Sequence, residues 1–93
     1  MMNREQFVKF MKDTADMGKV DGLGGCQLFI KEETEALKER CYLADPSMGS
    51  QIVASFSLDA LYDIYRENGM MFRVWMTLLY GYTMCQRDAA VAA

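Results

Sequence analysis

CQLFIKEETEALKERCYLA, residues 26–44, is the stretch on which the fold class turns. Ile30, Thr34, Leu37, Cys41 and Ala44 alternate steps of four and three, the spacing of one face of a helix. Phe29, Ala36 and Leu43 run beside them at steps of seven. Lys31 and Glu35 add a favourable pair at i, i+4. CQLFI alone also fits a short strand, but the continuous stripe predicts one helix over the whole segment. Asp45-Pro46 ends it, because the residue before proline avoids helical angles.

On the C-terminal side, residues 46–50 read as a loop. IVASF, residues 52–56, reads either as a strand or as the first turn of a helix. A lone strand has nothing to pair with unless CQLFI or a second chain answers it. Ser57 is a good N-cap, and Asp59 complements the helix dipole in the first turn. Leu58, Leu61, Tyr62 and Tyr65 form a stripe, and Asn68-Gly69 stops it. A helix is expected over residues 57–68.

On the N-terminal side, Asn3 and Gln6 are spaced as a capping box. Phe7, Phe10, Met11, Thr14 and Met17 then follow at helical spacing, so a helix over residues 4–17 is expected, ended by Gly18. GKVDGLGG, residues 18–25, is a flexible connection. Its glycines invite comparison with a phosphate cradle. The segment lacks Gly-Lys-Ser/Thr, and a helix rather than a strand precedes it, so a plain loop is the better reading.

MMFRVWMTLLYGYTMC, residues 70–85, carries twelve apolar or aromatic residues in sixteen. Met71, Val74, Trp75, Leu78, Tyr82 and Cys85 recur at helical spacing, and Phe72, Met76, Leu79 and Tyr80 fill most of the remaining circumference. Only a thin seam through Arg73, Thr77 and Gly81 is left for water. A helix apolar nearly all round is a buried one. This helix, reaching about Asp88, is expected at the centre of the fold, wrapped by the others or by a second copy. The AAVAA tail is expected to fray.

Together these segments predict an all-α fold: a single domain over residues 1–93, a small bundle of about four helices, with residues 51–56 as the one candidate strand. Ninety-three residues suit one domain. Ten basic and thirteen acidic residues give a net charge of −3, which disfavours a nucleic-acid or anionic-membrane surface. Three widely spaced cysteines, Cys26, Cys41 and Cys85, read as free thiols in a reducing compartment. The N-terminus lacks the apolar region of a secretory signal, and residues 70–85 are too short for a membrane span. A cytoplasmic protein is expected.

The chain has no histidine, which removes the commonest general base and metal ligand. Glu32, Glu35 and Glu39 share a face of the expected helix and read as solvated. Cys41 and Cys85 read as small buried hydrophobes. Cys26 sits at an expected helix N-terminus, where a thiol is activated. Tyr62, Tyr65, Tyr80, Tyr82 and Trp75 lack the interleaved cations of a base-stacking platform. No catalytic, cofactor-binding or metal-binding residue is assigned.

The functional expectation is therefore a small non-enzymatic interaction or regulatory protein. It would bind a protein partner through Met71, Trp75, Leu78, Leu79 and Tyr82 of the C-terminal helix, and would form a homodimer on that helix. Two rivals stand beside it. One is an acidic inhibitor of a nucleic-acid-processing enzyme, which needs a clustered negative face around Glu32–Glu39. The other is a ligand-binding regulator or thiol enzyme centred on Cys26, which needs a polar pocket near residues 22–30.

Overall fold

The computed structural model describes residues 2–18, 20–33, 38–69 and 71–92. Its elements run in the order α1 (Arg4–Asp16), β1 (Gln27–Glu33), β2 (Lys38–Asp45), a 3-10 turn (Pro46–Met48), β3 (Gln51–Ser57), α2 (Leu58–Asn68) and α3 (Phe72–Ala92). This is an α+β fold and not the all-α bundle that the sequence predicts. The correction falls on residues 26–44. They form two strands of an antiparallel meander ordered β1-β2-β3, with Leu28 opposite Leu43 and Ile30 opposite Cys41. Thr34, Glu35, Ala36 and Leu37, the middle of the supposed stripe, lie outside the described residues.

The physical reason is visible in the burial. Leu28 is buried, Phe29 exposed, Cys41 buried, Tyr42 half-buried and Leu43 buried, a period of two. Leu28, Leu43 and Ala54 make one cross-strand row on the inner face. Ile30, Cys41 and Phe56 make the next. Pairing a row of apolar residues across three strands outweighs the helix propensity of a Glu- and Lys-rich segment. IVASF is a strand, as one of its two readings had it, and its neighbour is β2 rather than CQLFI.

The three other sequence-derived helices are present. Asn3 accepts from the Gln6 N–H and the Gln6 side chain accepts from the Asn3 N–H, both at 2.9 Å, so the capping box is formed. Ser57 caps α2 through the Ala60 N–H at 3.1 Å. Gly69 ends it in a left-handed conformation that suits glycine. α3 runs on through Ala92, past the Asp88 at which the sequence-derived helix ends.

The core is a single cluster in which the helices meet the inner face of the sheet. Phe7 of α1, Tyr65 of α2 and Trp75 of α3 lie 5.2–6.1 Å apart, ring to ring. Trp75, Met76 and Leu79 are fully buried, and Thr83 joins them with its hydroxyl donating to the Leu79 carbonyl at 2.8 Å. These four residues are the inner edge of α3.

The glycine-rich segment is a spacer against α3. Gly22 lies so close to Met76 and Thr77 that a Cβ would sit 3.1 Å from the Met76 Cβ. A Cβ at Gly24 would overlap the Tyr80 ring, and its φ of +60° also favours glycine. The glycines thus let a connection lie flat on a helix. No described helix is long and apolar enough to cross a membrane.

Candidate functional site

Three different contacts fix α3 on its inner side. Gln86 reaches the edge of the sheet: its side chain accepts from the Ser55 N–H at 3.0 Å and donates to the Ser55 carbonyl at 3.2 Å. Arg87 donates to Asp45 at 2.9 Å, at the end of β2. Tyr80 rests on the glycine segment. With the helix held this way, the residues on its other side have little cover from the described residues.

That other side is where the sequence reading needs its second correction. The expected thin polar seam is a broad apolar face. Met71 is 78% exposed, Val74 55% and Tyr82 37%. Cys85 is exposed as well, not buried. Val74, Thr77, Leu78, Gly81, Tyr82 and Cys85, flanked by Arg73, line a shallow groove of about 710 Å³ along the helix. Met71, Val74, Leu78, Gly81 and Cys85 follow steps of three, four, three and four, the spacing of a coiled-coil seam.

Of the five partner-binding residues expected from the sequence, Met71 and Tyr82 lie on this face and Leu78 is half-buried at its margin. Trp75 and Leu79 are wholly buried in the core of the same chain. Val74 and Cys85 belong to the face although the expected partner-binding set omits them, and so does Gly81, which the sequence marks as a point where a second helix can come close. The three-four alternation was the signal that marks them. Twelve of the sixteen residues are apolar or aromatic enough to pass as core, which hides the difference between the two sides.

Gly81 is the unusual member. Glycine inside a helix costs about 1 kcal/mol relative to alanine. Gly22 and Gly24 make room for α3, and Gly18, Gly22, Gly24, Gly25, Gly49 and Gly69 all adopt the positive φ that favours glycine, whereas Gly81 does not. A Cβ at Gly81 meets nothing within 4 Å.

A second hollow, of about 280 Å³, lies where the sequence placed a thiol or ligand site. Gly24, Gly25, Cys26, Asp45, Ser47, Tyr80 and Arg87 are among its walls. Its polar groups are committed to one another. Asp45 accepts from the Ser47 N–H at 2.9 Å, from the Ser47 hydroxyl at 2.7 Å and from Arg87. Arg87 also meets Asp88 at 3.3 Å. Cys26 precedes a strand rather than a helix, and burial, reinforced by the Asp45 charge and opposed by Arg87, pushes its thiol up. Activation by a helix N-terminus is absent from this position.

Hydrogen bonds from Ser47 and Arg87 hold the Asp45 carboxyl below the usual range. A carboxyl lowered on folding stabilises the fold above its unfolded value, about 4, and that contribution is lost as the pH falls through the lower folded value. Asp45→Asn should therefore be less stable than wild type near neutral pH, and the difference should narrow as the pH falls below the ordinary carboxylate range. Thermal melts of both proteins across that range measure it. A gap that stays constant with pH would mean that the Asp45–Arg87 pair does not set it.

Around the expected acidic face, Glu39 lies between Lys12 at 3.4 Å and Arg4 at 3.9 Å. Its charge is used inside the fold. Glu32 stands opposite it across the strands, and Glu35 lies outside the described residues. Among the described residues no three metal-ligating side chains converge. The three cysteines form no disulfide. No family model, no curated protein and no solved structure matches this chain.

Proposed function

We propose that this chain is a non-enzymatic interaction protein that receives a partner helix along the exposed face of α3. Gly81 carries the reading. A helix-interior glycine that clears space for nothing among the described residues is explained by a backbone approaching from outside. The residues around it supply what such an approach needs. Val74, Leu78, Tyr82 and Cys85 provide apolar contact, and the groove between them is open along the helix. Continuous apolar surface of this kind marks interaction sites on soluble domains. An amphipathic helix laid into an apolar groove is a recurrent recognition mode.

Two substitutions separate binding from folding. Gly81→Ala should raise the stability of the isolated chain by about 1 kcal/mol, because the methyl group meets nothing. The same change should weaken the complex by holding the partner backbone away. Val74→Glu should leave stability within about 0.5 kcal/mol, since Val74 is a surface position. It should abolish recovery of bound protein when the tagged chain is purified from its native host. If Gly81→Ala destabilises the chain, or Val74→Glu leaves binding intact, this face is not the binding surface.

A further inference from the structure

We infer that the helix received by α3 is the α3 of a second copy, running antiparallel and crossing the first at Gly81. The inference rests on the reading of α3 as an interaction surface and names its occupant. The argument is charge complementarity of the face with itself. Arg73 lies eight residues before Gly81 and Asp88 seven after, so at ~1.5 Å per residue they stand about 12 and 10 Å to either side. On a helical projection, at about 100° per residue, both fall on the same flank of the Val74–Leu78–Cys85 seam. In an antiparallel two-fold pair, like flanks face each other. Arg73 of each copy then meets Asp88 of the other, twice by symmetry. In a parallel pair, Arg73 and its copy would stand level on opposite sides of the seam, as would the two Asp88, and neither Arg73 would reach an Asp88.

The charges are placed for this use. Among the described residues Arg73 has no acidic partner within its own chain. Asp88 is mostly exposed, touching only the Arg87 that Asp45 already holds. The same geometry brings Leu78 of one copy beside Cys85 of the other, because they lie three residues before and four after the crossing. Cys85 of the two copies stand ~12 Å apart along the axes. The seam from Met71 to Asp88 is ~26 Å of one helix, so the pair is held by one strip of apolar contact and two charge pairs.

Light scattering behind a sizing column, over a range of concentrations up to high micromolar, should show monomer passing to dimer. Arg73→Asp should weaken the dimer roughly tenfold, and adding Asp88→Arg to it should restore the affinity. Oxidation with copper–phenanthroline should cross-link Leu78→Cys through Cys85 of the second copy and leave wild type uncross-linked. Ready cross-linking of wild type through Cys85 would overturn the antiparallel arrangement. A mass that stays monomeric at every concentration would overturn the self-pairing. In that case the Val74→Glu comparison decides the reading beneath it: lost binding keeps α3 as a surface for a foreign helix, and unchanged binding removes that too.

Discussion

Trp75→Ala should cost about 3–5 kcal/mol, the range for deleting a fully buried aromatic. A 93-residue domain has a total stability of roughly 5–14 kcal/mol, so the variant should be largely or wholly destabilised at moderate urea. Trp75 is the largest fully buried side chain, and its ring contacts Phe7 and Tyr65 from the two other helices. Removing it opens a cavity at the one point where all three helices meet. Trp75→Phe should cost far less. The phenyl ring keeps most of the contacts, and the lost indole Nε1 is a buried donor with no partner among the described residues, so no hydrogen bond goes with it. Urea unfolding of the three proteins gives both differences. A loss below about 1 kcal/mol for the alanine variant would show that Trp75 works at an interface rather than in the core.

Leu43→Ala should cost about 2–5 kcal/mol, while Phe29→Thr should stay within about 1 kcal/mol. Leu43 is fully buried in the middle strand, between Leu28 and Ala54. Phe29 sits 40% exposed on the opposite face of the sheet. The pair discriminates between the two structures that residues 26–44 suggest. On a single helix Phe29 and Leu43 share one row at steps of seven and would respond alike. On the hairpin they face opposite ways. Equal losses in chemical denaturation would contradict the sheet.

What was legible in the sequence follows from how local each signal is. α1 and α2 carry caps at both ends and apolar stripes on one side, and each of those is set within a few residues. The strands are not local objects. Leu28 reads as a strand residue only once Leu43 and Ala54 stand beside it, and those partners lie 15 and 26 positions away. Between them, EETEALKE has the composition of a good helix, and its apolar residues continue the spacing of Ile30 and Cys41. The helical stripe was an accident of two period-two patterns joined in phase.

For α3 the element was legible and its orientation was not. Hydrophobicity marks both sides of the helix equally, so Trp75 and Val74 look alike in sequence. What separates them is where the inner contacts fall: Gln86 on the sheet edge, Arg87 on Asp45, Tyr80 on Gly24. Each joins α3 to a segment far away along the chain, and neither glutamine nor arginine announces such a role.

The Gln86 contact also gives the sheet a direction of growth. An edge strand is a template: its free N–H and C=O groups can recruit another strand, which then exposes a fresh edge for the next. Continued growth on both sides needs both edges. Here β3 is an edge, and the amide of Gln86 occupies the Ser55 groups as an incoming strand would. An amide is a terminator, because it satisfies one donor and one acceptor and offers no further row behind them. At Ser55 this edge is closed to an added strand. Two copies joined through β1 would present a β3 at each end, both blocked by a side chain. Stacking by that route halts at a pair instead of running on into a fibre.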